Sequence, residues 1–302
     1  MNIGIGLETR GTVDDVVARA KELAATGVDS LWASQIFGWD TLTALAIVGR
    51  EVPSVDLGTA VIPVHPRHPA ILAAQALTVQ SASKGRLILG IGLSHQVVVE
   101  GMWGLSFESP ARYMDEYLSI LVPLLEGEQV SFDGKLMRTA MMTSLEAEGA
   151  SAPPVLLAAL GPTMLRIAGR KTAGTVTWMV GLKTLSEHIV PTITSAASEA
   201  GRPSPRVAVT LPVCVTNDRA AALERAGQIF TVYGQLPSYR AMLDREGVAG
   251  PSDVAIAGDE ETVASEISRF SEAGATDFSG ALFGSREELT RARALFKELA
   301  AR

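Results

Sequence analysis

The feature that most constrains this chain is a rhythm of eight aliphatic runs, each followed by a stretch of helical period. The runs are Asn2 to Leu7, Asp29 to Ala33, Val55 to Ile62, Arg86 to Ile91, Val155 to Ala159, Thr175 to Met179, Val207 to Val215 and Asp277 to Leu282. Most are nearly unbroken in apolar character, as expected of parallel strands covered on both faces. Between them lie amphipathic stretches. Val13, Val16, Val17, Ala20, Leu23 and Ala24 recur at helical spacing. Thr12 with Asp15 three residues on signals a capped start, and Gly27 a stop. Further helices are expected over Thr41–Glu51, Pro69–Ala82, Pro110–Leu125, Pro162–Lys171, Leu185–Ala200, Arg219–Tyr233, Tyr239–Arg245, Glu260–Ala273 and Arg286–Ala301.

Eight strand–helix units predict an α/β fold closed into a (β/α)8 TIM barrel, with residues 1–302 as a single domain. An open doubly wound sheet is the competitor, but it carries a glycine fingerprint after its first strand. Here that place reads Leu7-Glu8-Thr9-Arg10-Gly11. The rhythm loosens twice, over Leu93–Ser109 after strand four and over Gly127–Ala152 before strand five. The second stretch suggests a short hairpin at Asp133-Gly134. Both are read as insertions that help to cover a site.

Composition narrows the classes. With 302 residues, of which 47% are apolar, the chain can bury a large core and is not disordered. Lys and Arg total 26 against 33 Asp and Glu, a net charge of −7, so no nucleic-acid partner is expected. The lone Cys214 forms no internal disulfide, which suits a reducing compartment. The amino-terminal residues lack a signal-peptide pattern, and no run approaches the ~18–20 apolar residues of a membrane span. A cytoplasmic protein without membrane partners is the expectation.

Several motifs fail. Gly90-Ile91-Gly92 lacks a third glycine because His95 holds that place. His65 and His68 lie three apart but are flanked by prolines, so no metal site is expected. Ser94-His95 does not complete a nucleophile elbow, because Gln96 replaces the required glycine. What remains is the barrel rule that chemistry sits where strands end. Those ends carry Ser34 to Asp40, Pro63 to His65, Gly92 to Gln96, Leu160 to Thr163 and Val180 to Lys183. The Gly161-Pro162 helix start offers free N–H groups to an anion. Arg166, Arg170, Lys171 and Lys183 are the basic side chains nearest to it in sequence.

The segment Ser83-Lys84-Gly85-Arg86-Leu87-Ile88-Leu89-Gly90-Ile91-Gly92, preceded by Arg67-His68-Pro69-Ala70 and Gln75-Ala76-Leu77-Thr78, resembles the bacterial-luciferase-like flavin and deazaflavin oxidoreductases. Arg112 to Tyr117, Ala158 to Pro162 and Ala273 to Phe278 extend the resemblance over most of the chain. Gly58-Thr59-Ala60-Val61 is more similar to the branch that uses the deazaflavin coenzyme F420. The resemblance implies a barrel, a hydride-transfer oxidoreductase acting on a small-molecule substrate, and a homodimer. It also implies a non-prolyl cis peptide at Ala60–Val61 behind the deazaflavin ring. Ser34, Leu93, Ser94 and Val98 match cofactor contacts, and Leu160, Gly161, Thr163 and Met164 match the region near the cofactor phosphate. Trp39 matches an active-site tryptophan. Gln35 stands where relatives carry a catalytic histidine, and His95 where they carry a catalytic glutamate. An amide is no acid or base near neutral pH, so His95 becomes the expected acid/base. Gln35 and Trp39 would complete the catalytic set by shaping or hydrogen-bonding the substrate. The Met and aliphatic content of the insertions points to an apolar substrate or to a subunit contact. Two rivals share this reading of the residues: an FMN-dependent monooxygenase, and a non-redox barrel.

Overall fold

The computed structural model describes every residue except Met142. Its strands are β1 (Asn2–Gly6), β2 (Ser30–Ala33), β3 (Asp56–Thr59), β4 (Ile62–Pro63), β5 (Leu87–Gly92), β6 (Ser131–Asp133), β7 (Arg138–Ala140), β8 (Val155–Ala158), β9 (Gly174–Trp178), β10 (Arg206–Val215), β11 (Ile256–Gly258) and β12 (Asp277–Leu282). The ring runs β1-β2-β3-β5-β8-β9-β10-β12 and closes back on β1, every pair parallel. These eight are the eight expected from the aliphatic runs, and closure gives the TIM barrel. β4 continues β3 beside β5, and β11 pairs with the far end of β10.

The helices are α1 (Val13–Ala24), α2 (Thr41–Glu51), α3 (Pro69–Ala82), α4 (Gln96–Val99), α5 (Pro110–Leu125), α6 (Pro162–Lys171), α7 (Leu182–Thr184), α8 (Val190–Glu199), α9 (Arg219–Ile229), α10 (Pro237–Glu246), α11 (Glu260–Glu272) and α12 (Arg286–Ala300). Thr12 and Asp15 form the reciprocal capping box at the start of α1. Two expected helices are subdivided. Leu185–Ile189 winds as a π turn before α8, and Arg219–Tyr233 breaks after Ile229 into a 3-10 turn at Thr231–Gly234. Such departures often mark functional positions. Here the π turn carries His188, whose Nε2 lies 2.8 Å from the Leu160 carbonyl at the end of β8.

Alternation along each strand splits the core in two. Ile3, Ile5, Leu31, Leu57, Leu89, Leu157, Val209 and Phe278 face outward and join one large cluster with the helices. Trp32, Ile88, Leu156, Val176 and Ala208 form a separate cluster inside the ring. Trp32 is the one bulky wedge. Its Nε1 donates to Ser30 Oγ at 2.8 Å, and glycines at positions 4 and 58 leave room for the indole. Toward the carboxyl ends of the strands the inward residues Gly6, Ala60, Gly92 and Ala158 are small, with Trp178 the bulky one among them, so the wall above the Trp32 plug is built mostly of small residues.

The second insertion corrects an expectation. A helix-to-strand connection lies at the amino-terminal end of a (β/α)8 barrel, away from the site. Gly127–Ala152 makes that connection from α5 to β8, and its hairpin β6–β7 is pinned against the outside of α5. Glu116 accepts N–H bonds from Lys135, Leu136 and Met137 at 3.1, 2.8 and 2.9 Å. Leu145, Ala147 and Ala150 pack on the helical layer. The described residues of this insertion buttress the barrel wall, at the end away from the mouth. Leu93–Ser109, a strand-to-helix connection, does belong to the mouth.

Candidate functional site

The site begins at an extra residue. Gly58 lies opposite Ile88, and Ile62 opposite Ile91, so four steps along β3–β4 match three along β5. That is a bulge, which re-aims the strand. The Ala60–Val61 peptide within it is cis, at the position the resemblance implied. Side chains take over the ladder here. Thr59 Oγ1 donates to the Gly90 carbonyl at 2.7 Å and accepts from its N–H at 2.8 Å. Ser34 Oγ donates to the Ala60 carbonyl at 2.7 Å, and Ala60 N–H donates to Ala33 at 2.8 Å. Gly92 is required on the neighbouring strand, since a Cβ there would come within 2.8 Å of Val61 Cγ2.

Around this bulge the strand ends gather the expected residues. Leu93, Ser94 and His95 follow β5, with Ser94 in the left-handed region at φ 62°. His95 precedes α4 but makes no capping bond with its ring, which tilts against Tyr239 at a centroid distance of 5.6 Å. Burial pushes the His95 imidazole below its ordinary range, so it is neutral at pH 7. Val98 sits half-buried on α4 and accepts backbone bonds from Met102 and Trp103.

Gln35 and Trp39 are held in the loop after β2. The Gln35 amide donates to the Trp39 carbonyl at 3.2 Å and accepts from Thr41 N–H at 2.7 Å. Both ends of that amide are thus spent on backbone. Trp39 donates its indole N–H to the Gly11 carbonyl at 2.7 Å and is half exposed. Asp40 caps α2 through Thr43 and pairs with Arg67 at 2.6 Å, clamping this loop to the turn after β4. Ile36, Phe37, Val97 and Met102 leave the mouth with an exposed apolar rim.

On the far side, Gly161 opens α6 with no side-chain cap, and nothing stands within 4 Å of where its Cβ would be. Thr163 and Met164 follow in the first turn, with Leu160 half-buried behind them. The basic candidates divide. Arg166 and Arg170 are exposed on α6, and Lys183 is exposed before the π turn. Lys171 is committed to α5, 2.8 Å from both the Asp115 carboxylate and Ser119 Oγ, so it is not a free cation at the site.

Sequence reasoning missed an aromatic wall. Trp178, at the end of β9, meets Phe230 and Tyr233 edge-on, and Tyr233 meets Tyr239 at 5.2 Å. Burial raises both tyrosines, so neither ionises near neutral pH. Nothing local in the sequence links 178 to the 230s. His65 was set aside with the failed metal pair, yet its Nδ1 lies 2.9 Å from the Leu93 carbonyl and its ring stacks on Tyr113 at 4.6 Å.

Residues 1–277 match the family model described as luciferase-like monooxygenase. The chain belongs to that family. A 5,10-methylenetetrahydromethanopterin reductase of Methanolobus tindarius is 29% identical over 250 residues, covering 82% of this chain and 76% of the relative. A putative coenzyme F420-dependent oxidoreductase of Mycobacterium tuberculosis is 28% identical over 244 residues, covering 72% and 67%. Among solved structures, the coenzyme F420-dependent tetrahydromethanopterin reductase of Methanopyrus kandleri superposes with a TM-score of 0.83 over 98% of this chain and 97% of its own, at 24% identity. That last likeness speaks for the fold. The family membership makes the chain an oxidoreductase built on a luciferase-like barrel.

Proposed function

We propose that the chain is a coenzyme F420-dependent oxidoreductase that moves a hydride between the deazaflavin and a small, largely apolar organic substrate. The observation that carries this is the bulge at Ala60 and Val61, set at the strand ends among the small inward residues Gly6, Gly92 and Ala158. A flat tricyclic ring fits such a wall, where larger side chains would fill the space. The F420-linked names among the sequence relatives favour the deazaflavin over FMN.

When bound, the deazaflavin supplies a ring carbon that accepts or donates hydride. The chain supplies the rest. Ser34 and Thr59 hold the bulge in shape. The uncapped start of α6, at Gly161, Thr163 and Met164, would hold the anionic tail of the cofactor, with Arg166 on the same helix. Leu93, Ser94, Val98 and Leu160 line the approach, and the aromatic wall excludes water. His95, whose ring makes no capping bond and no other hydrogen bond among the described residues, takes the proton from a substrate hydroxyl or returns it to a carbonyl oxygen. Trp39 and Gln35 shape the rim, Gln35 by fixing the loop.

Fluorescence titration of the purified chain with F420 and with FMN tests the proposal. F420 binding in the micromolar range, followed by oxidation of reduced F420 with added ketones or enones, is the expected result. FMN binding without F420 binding would instead favour oxygen-dependent monooxygenation, and binding of neither would overturn the redox reading.

A further inference from the structure

Two buried hydroxyls inside the barrel have no assigned task. Thr210 and Ser279 are register partners on β10 and β12, and alternation turns both side chains toward the bore. Ser279 is 2% exposed. Neither hydroxyl oxygen reaches a hydrogen-bond partner among the described residues, including the other. Other hydroxyls in the same sheet are satisfied: Ser30 by Trp32, Thr59 by Gly90, Thr175 by Leu157. An unpartnered buried hydroxyl costs folding free energy, and Val or Ala would fill the same strand positions without that cost. Two side by side therefore point to a partner that arrives from outside the chain.

Their position says where it would arrive. β10 lies four strands from β3 in either direction round the ring, so the strand that carries Thr210 stands across the bore from the strand that carries the bulge. A ring seated on the bulge leaves its other face toward this wall. Trp178, the register partner of Thr210 on β9, adds an aromatic flank whose indole N–H also lacks a partner among the described residues.

We propose that Thr210 and Ser279 form a hydrogen-bonding subsite for the oxygen of a small ketone or secondary alcohol, held between the bulge and the β10–β12 wall. This rests on the function proposed above. A hydroxyl both donates and accepts, so the pair serves either redox form. In ketone reduction the C–H bond of the reduced deazaflavin would break and its hydride would form the new C–H bond at the carbonyl carbon, while the C=O π pair takes a proton from the protonated imidazole of His95, leaving the oxidised deazaflavin and neutral His95; alcohol oxidation runs the same balance backwards.

The test uses Thr210→Val, Ser279→Ala and the double variant in the full chain, with three readouts: Tm without ligand, F420 affinity by fluorescence, and cyclohexanone affinity of the F420-saturated protein by thermal shift. The expected result is a Tm raised by about 2–4 °C in each variant, F420 affinity within about twofold of wild type, and cyclohexanone affinity about tenfold weaker in the double variant. Unchanged cyclohexanone affinity with intact F420 binding overturns the subsite alone. A lowered Tm also overturns it, by showing that the hydroxyls support the fold. No cyclohexanone binding to wild type overturns the ligand class. Failure of wild type to bind F420 overturns the underlying function.

Discussion

Gly58→Ala tests whether the plug beneath the site is as tightly fitted as the contacts imply. A Cβ on Gly58 would sit 2.5 Å from Trp32 Cδ2 and 2.7 Å from Cζ3, and closer still to Cε3. The indole cannot step aside. Its Nε1 is bonded to Ser30, and on its other flank a Cβ at Gly4 would stand 2.9 Å from Cδ1. Trp32 is 3% exposed, so no solvent-filled space takes up the strain. Overpacking of a close-packed interior costs about 1–3 kcal/mol, and three overlapping ring atoms place this substitution near the top of that range. At roughly 2–3 °C per kcal/mol for a chain of this size, Tm should fall by about 5–9 °C in calorimetry. Trp32→Leu alone should also destabilise, by leaving a cavity. The double variant is the decisive sample. With the ring gone the new methyl fits, so the two losses should fall short of adding by about 1 kcal/mol or more. Strict additivity, or a Gly58→Ala protein that melts with wild type, would refute the fitted plug.

Two further outcomes follow from the site and its buttress. Glu116 is 8% exposed; burial pushes its carboxyl up, but the N–H groups of Leu136, Met137 and Lys135 outweigh that and hold it below its usual range. Glu116→Gln should therefore cost about 2–4 kcal/mol in urea unfolding at pH 7. Because the folded carboxyl is the stronger acid, the wild-type advantage should be complete above about pH 4.5 and shrink as pH falls below it; a gap that persists undiminished at pH 3 would contradict the assignment. His95→Gln should leave F420 affinity unchanged and lower kcat for alcohol oxidation by about 10²–10³-fold. The wild-type rate should fall on the acid side, below about pH 6.5, as the depressed imidazole protonates; an identical acid limb in the variant would remove His95 from the proton path.

How much of this was legible beforehand follows from what local pattern can carry. The eight aliphatic runs were readable because a strand covered on both faces must be apolar at nearly every position. The capping box at Thr12–Asp15 was readable because its chemistry spans only three residues. The break after Ile229 was not, since Thr231–Gly234 keeps a helix-like period while Tyr233 turns to meet Trp178 from β9. The role of Gly127–Ala152 was misread because composition does not reveal at which end of a barrel a connection lies.

At the site, the family resemblance singled out Ser34, Ala60 and Val61, and His95 stood out both at a strand end and by that resemblance. The sequence could not say that Lys171 answers to Asp115, or that Gln35 spends its amide on Thr41 and Trp39. Nor could it single out Thr210 and Ser279, two small polar residues in separate strands. The sequence alone therefore determined the order and number of the strands and the loops that end them, because hydrophobic periodicity and capping are local. Only the closed ring decided which side chains face the bore, which cations remain free and which hydroxyls go unpartnered, because each depends on the register between strands up to 275 residues apart.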